Sequence, residues 1–205
     1  MRIGVLEAGE PPLLLQPAFG RYPAMVEHML GPAYDYAVFD IVGDAPPSPD
    51  ACDAYVITGA SAGVYDDLPW IAPMENFLRA AKGRVPLVGI CFGHQLMARA
   101  FGGRVEKSAK GWCAGLHAYQ VVDREPWMDG AETIAIPASH QDQVVAAPPN
   151  ARTVLASDFT PSPPSPMTTS PRSPSRAIRS SSRPSPRRCM RAGWTRRMTG
   201  PPPPG

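Results

Sequence analysis

The chain has few cysteines and none in a metal-binding or redox spacing. Four occur in 205 residues, Cys52, Cys91, Cys113 and Cys189, and no two form a Cys-x-x-Cys pair. That argues against a structural zinc or a disulfide framework and for a reducing, cytoplasmic setting. No apolar run approaches the ~20 residues of a membrane-spanning helix. Met1 to Leu6 reads as a strand and lacks the apolar core of a secretory signal, so a soluble protein with no membrane partner is expected. Nucleotide-loop signatures are missing too. Gly4-x-Leu6-x-Ala8-Gly9-Glu10 follows the first strand, but neither Gly-x-Gly-x-x-Gly nor Gly-Lys-Ser/Thr occurs, and nothing implies a cofactor or a metal. A last absence is compositional: after Asp158 there is no Asp, Glu or Lys.

That absence divides the chain. All 18 acidic residues and 11 of the 20 basic ones precede residue 161, and residues 1–160 suit one domain with one core. Residues 161–205 are dominated by Pro, Ser and Arg and end Pro201-Pro202-Pro203-Pro204-Gly205. Such a basic tail reads as disordered and attractive to nucleic acid or an acidic partner.

Within the first part, short apolar runs at Ile3-Leu6, Tyr36-Ile41, Ala54-Thr58 and Pro86-Ile90 alternate with helical patterns at Tyr22-Leu30, Trp70-Ala81 and Gln95-Phe101. Continuous apolar strands separated by helices predict a parallel sheet covered on both faces. Later runs, Leu116-Val122, Thr133-Ile136, Gln143-Ala146 and Thr153-Ala156, follow without helices and predict an antiparallel extension. The expected fold is α/β, a flavodoxin-like three-layer sandwich with a mostly parallel central sheet. Met74, Phe77 and Leu78 fall at helical spacing and are read as core; Trp112, in Gly111-Trp112-Cys113-Ala114-Gly115, reads either as an aromatic core anchor or as part of a pattern before the strand that crosses near the site.

Gly89-Ile90-Cys91-Phe92-Gly93-His94-Gln95 is the most informative stretch. It sets a cysteine between two glycines where the apolar run Val85-Pro86-Leu87-Val88 gives way to a helical pattern, which reads as a nucleophile elbow. The following helix, expected from His94 to Phe101, would aim free N–H groups at the sulfur and lower its pKa. Ligands of open α/β sheets bind beyond the carboxyl ends of the strands, where both Cys91 and Gly59 fall.

Gly89 to Ala98 resembles the nucleophile motif of class I, triad-type glutamine amidotransferases, a family that includes the glutaminase part of GMP synthase. Two further blocks resemble that family in the same order. Val56-Ile57-Thr58-Gly59-Ala60-Ser61-Ala62-Gly63-Val64-Tyr65 is similar to its strand and glycine loop, and Ser139-His140-Gln141-Asp142-Gln143-Val144 to its Ser-His-x-Asp-x-Val segment. The resemblance implies hydrolysis of glutamine to glutamate and ammonia through a Cys91 thioester. It implies oxyanion contacts from the main chain of Gly59, Ala60 and Phe92, and substrate contacts from Gln95, Ser139, His140 and Asp142. It also implies a separate synthetase subunit that accepts the ammonia.

One family element is missing. The family's base and its orienter lie in a His-Pro-Glu segment, and none of His28, His94, His117 and His140 is followed by Pro and Glu. The tail offers a reason. GC-rich codons for Ser175 to Ser180, TCC-AGG-GCC-ATC-CGG-AGC, regrouped one base earlier after a T, read Phe-Gln-Gly-His-Pro-Glu. Residues after about 160 therefore read as a frameshifted translation, and this chain is expected to hydrolyse glutamine very slowly and to be poorly soluble. Two other readings stand beside this one. One is an inactive glutamine-pocket protein whose basic tail binds nucleic acid or an acidic partner. The other is a γ-glutamyl hydrolase or a related Cys hydrolase.

Overall fold

The computed structural model describes residues 1–160. Four strands, β1 (Arg2–Glu7), β2 (Asp35–Asp40), β3 (Ala54–Ile57) and β4 (Leu87–Gly89), form an all-parallel sheet in the order β2-β1-β3-β4. The period-2 alternation of strand side chains assigns the two faces. Ile3 and Val5 of β1 and Val56 of β3 pack with Val26 of α2 (Tyr22–Leu30). Leu6, Tyr55 and Ile57 pack on the opposite face with α3 (Ile71–Ala81) and α4 (Phe92–Ala100). These are the three layers expected.

Residues 71–81 are helical because their apolar positions recur at three and four residues. Met74, Phe77, Leu78 and Ala81 form one buried face, and full burial of each large member contributes about 2 kcal/mol. Phe77 meets Tyr55 edge to face at 5.0 Å. A one-turn helix, α1 (Gln16–Phe19), for which the sequence pattern gives no sign, precedes α2.

The later strands form two antiparallel sheets. β5 (Arg104–Lys107) pairs with β8 (Asp142–Ala146), and β6 (Cys113–Val121) lies between β7 (Thr133–His140) and β9 (Leu155–Ala156). Trp112 is 65% exposed and anchors no core, correcting the expectation from sequence. Among the described residues the central sheet ends at β4, whose Val88 is 52% exposed, and Ile90 just beyond it is 37% exposed. Among the described residues no helix is long and apolar enough to cross a membrane. The tail at 161–205 lies outside the described residues.

Candidate active site

Cys91 follows the end of β4 after one intervening residue, Ile90, and caps α4, with φ +52° and ψ −108°. A positive φ at a residue with a Cβ is strained, and such strain persists only where the surroundings enforce it. Here two glycines enforce it. A Cβ on Gly89 would stand 2.4 Å from the carbonyl carbon of Gly93, and one on Gly93 would stand 2.5 Å from the carbonyl oxygen of Ile57. The chain can turn this tightly only without side chains at both positions. Ile90 N–H donates to Ile57 O at 2.9 Å, fastening the turn to β3.

Helix α4 begins at Phe92, two residues earlier than the sequence pattern places it, because the elbow glycine Gly93 lies inside the first turn. The Phe92 side chain is fully buried against Trp70, with ring centroids 5.4 Å apart. That anchor fixes the start of the helix next to Cys91. The thiol nonetheless sits above its ordinary pKa. Desolvation by the surrounding atoms pushes it up most, the Phe92 N–H pulls it down, and the nearby Asp142 carboxylate pushes it up again. The expectation of a thiol acidified by the helix terminus is therefore corrected: one N–H does not outweigh desolvation and an adjacent carboxylate. Cys91 is still solvent-accessible by surface area.

Gly59 stands next to it. A Cβ built there would lie 3.7 Å from Cys91 Cβ, and neither the Gly59 nor the Ala60 N–H meets an acceptor among the described residues. An oxyanion requires N–H donors without competing acceptors.

Gln95 is buried, not solvated, and its Nε2 donates to the Asp142 carbonyl at 3.1 Å. His140 turns Nδ1 toward the same carbonyl at 3.1 Å. His94 has its pKa lowered, first by desolvation and then by the charge of His140, although part of the residue reaches solvent. Asp142 thus gathers α4, β7 and β8 beside the elbow. Ser139 is exposed on β7 in register with Ala114, and no hydrogen bond ties it to the site. Among the described residues no histidine hydrogen-bonds the Cys91 thiol. His117 instead sets Nε2 3.3 Å from the Cys113 sulfur, and His28 is exposed.

Two residues of this site carry no signal in the sequence. Tyr65 O–H lies 3.0 Å from both carboxylate oxygens of Asp142, and its pKa is pushed up to about 12, by desolvation first and then by that hydrogen bond. Tyr22 places its hydroxyl 4.0 Å from the Cβ position of Gly59. Tyr65 closes the glycine-loop block, but nothing in its spacing points to Asp142, 77 residues away. Among the described residues no group of His, Cys, Asp and Glu is arranged to hold a metal ion. Neither of two surface cavities, each of roughly 450 Å³, touches Cys91.

A parallel sheet ending in this elbow has the architecture of solved glutamine amidotransferases. One from Thermotoga maritima superposes with a TM-score of 0.66, covering 78% of this chain and 69% of its own at 16% identity, a likeness of fold. The sequence then supplies the family: the glutamine amidotransferase class-I family model matches residues 44–163, and the chain belongs to that family. A glutamine amidotransferase-like protein of Schizosaccharomyces pombe is 31% identical over 163 residues, 71% of this chain and 66% of its own length. Gamma-glutamyl peptidase 3 of Arabidopsis thaliana is 33% identical over 116 residues, 53% of this chain and 46% of its own. A subunit of the glutamine-hydrolysing GMP synthase of Methanopyrus kandleri is 39% identical over 80 residues, 36% of this chain and 40% of its own. The chain spans less than two thirds of the length of each of these curated relatives.

Proposed function

We propose that the protein is built to hydrolyse the side-chain amide of glutamine with Cys91 as nucleophile. The sulfur attacks the amide carbon and the C–N bond breaks. A proton goes to the leaving nitrogen, and water then cleaves the thioester to glutamate. The N–H groups of Gly59, Ala60 and Phe92 hold the oxyanion, while Gln95, Ser139, His140 and Asp142 hold the glutamine. The observation that carries this reading is the strained backbone of Cys91 between two glycines that tolerate no Cβ. Ammonia passes to a separate synthetase subunit, which the likeness to the GMP synthase of Methanopyrus kandleri supports.

The proton transfers need a base, and the described residues bring none to the thiol. The missing His-Pro-Glu is encoded, on this proposal, one base out of frame within residues 161–205. The 205-residue chain then retains the nucleophile without its base, and loss of triad members lowers rates by several powers of ten. Reading the nucleotide sequence across the codons for Asp158 to Ser182 tests the frame. A single missing or extra base that restores His-Pro-Glu supports it, and confirmation of the printed frame overturns it. The nucleophile is tested separately with 6-diazo-5-oxonorleucine, a glutamine analogue. Covalent labelling of Cys91, protected by glutamine, supports the reading, and labelling indifferent to glutamine sinks it.

A second reading is favoured by one observation. The thiol lies open at the surface, which leaves room for a leaving group larger than ammonia, and Arabidopsis relatives carry the name gamma-glutamyl peptidase. A γ-glutamyl peptide that protects Cys91 better than glutamine does would select it.

A further inference from the structure

Tyr22 has no part in the chemistry above, yet its phenol stands at the nucleophile. A methyl group built on Gly59 would lie 3.7 Å from Cys91 Cβ and 3.9 and 4.0 Å from Tyr22 Cζ and Oη. The Tyr22 phenol and the Cys91 Cβ therefore border the same small volume in front of the glycine loop. The Tyr22 hydroxyl makes no hydrogen bond among the described residues, although the side chain is half-buried. The hydroxyl is thus free to donate to a group that enters this volume.

Its position is also fixed. Arg21, the residue before it, binds Glu7 at the carboxyl end of β1 through two bonds of 3.1 and 2.8 Å and Glu10 at 3.0 Å. Pro23, the next residue, is buried and presets the first turn of α2. Desolvation, and then the charge of Cys91, hold the Tyr22 pKa above its ordinary value, which keeps the hydroxyl protonated and able to donate near neutral pH.

We propose that Tyr22 is a side-chain oxyanion donor, its O–H donating to the carbonyl oxygen of the γ-glutamyl group while Cys91 attacks. This rests on the reading of Cys91 as the nucleophile. Held in place by its neighbours, the phenol supplies a preorganised donor beside the main-chain N–H groups as the carbon becomes tetrahedral. Removing one donor from such a hole typically lowers rate or adduct affinity by about 10²-fold.

A probe that needs no catalytic base tests it. 5-Oxopentanoate, labelled with carbon-13 at its aldehyde, resembles the γ-glutamyl end of the substrate and carries no amine with which to cyclise. The Cys91 sulfur adds to the aldehyde carbon, the C=O π bond opens, and the thiol proton ends on oxygen, giving a hemithioacetal seen by carbon-13 NMR. The expected result is an adduct that is absent in Cys91→Ser and at least about tenfold weaker in Tyr22→Phe. Iodoacetamide, which requires no oxyanion donor, still alkylates Cys91 in Tyr22→Phe and shows that the elbow is intact. Equal adduct affinity in wild type and Tyr22→Phe overturns the role of Tyr22 and leaves the nucleophile standing. Absence of a Cys91 adduct in the wild type overturns both.

Discussion

The side-chain amide of Gln95 donates to the main-chain carbonyl of Asp142 at 3.1 Å, tying the helix after the elbow to a strand of a different sheet. The two residues are 47 positions apart. Gln95 is buried, so its loss removes one of two side-chain contacts to that carbonyl, the other being His140 Nδ1. Gln95→Met, close in volume, is expected to cost about 1–2 kcal/mol in urea unfolding. It should also weaken glutamine protection of Cys91, since the Asp142 segment is then no longer fixed. A variant as stable as wild type would remove this tie from the account of the site.

Glycines around the thiol should divide into two kinds. Gly93→Ala drives a methyl to 2.5 Å from backbone, and since backbone cannot yield, a loss of at least about 3 kcal/mol or failure to fold is expected. Gly59→Ala meets only ordinary contacts at 3.7 Å and beyond. Its fold should persist, while its methyl fills the volume between Cys91 and Tyr22 that the reacting carbonyl must enter. Circular dichroism and the rate of labelling by 6-diazo-5-oxonorleucine separate the two cases.

Alkylation of Cys91 should rise with pH through a midpoint above that of an ordinary thiol, because its pKa is raised, chiefly by desolvation. Asp142 adds to that shift, so Asp142→Asn is expected to lower the midpoint and speed iodoacetamide at pH 7. An unchanged midpoint would show that the carboxylate does not act on the sulfur.

Glu7 supplies a test of stability against pH. Its folded pKa is raised above the ordinary carboxyl value, because burial outweighs the opposing attraction of Arg21. A carboxyl of this kind contributes stability fully below its unfolded pKa and loses it as pH climbs through the higher folded one. Relative to Glu7→Gln, the wild type should therefore lose stability on going from pH 4 to pH 7, as followed by thermal unfolding at several pH values. Parallel profiles for the two proteins would contradict this.

In steady state, the purified, mass-verified 205-residue chain is expected to release ammonia from glutamine at a rate several powers of ten below that of a complete enzyme. Robust turnover would require a base among residues 1–160, and His140 would be the first to replace.

Much of this is legible from the residues, and the reasons differ by element. The parallel strands announce themselves because strands covered on both faces must be apolar throughout, as in Ile3 to Leu6 and Ala54 to Ile57. The elbow is legible because its geometry excludes side chains at Gly89 and Gly93. β5 is not, since only Val105 of Arg104–Lys107 is buried and a strand so polar has no period to read. The thiol pKa departs from expectation because a helix terminus can be read locally, whereas the desolvation that raises it most, and then the charge of Asp142, arise only through the fold. Tyr22 and Tyr65 escape notice for the same reason: they face Cys91 and Asp142 across dozens of residues, and no short-range spacing encodes that meeting.

The exposed margin at Val88 and Ile90 joins two properties usually kept apart. Among the described residues the sheet stops at the three-residue strand β4; such an edge offers backbone to any chain able to add to it, and this one ends two residues before Cys91. Whatever segment completes the sheet there also sets its side chains beside the sulfur. A segment that paired with β4 would cover this margin and border the nucleophile at once, so closing the sheet and walling the site would fall to the same stretch of chain.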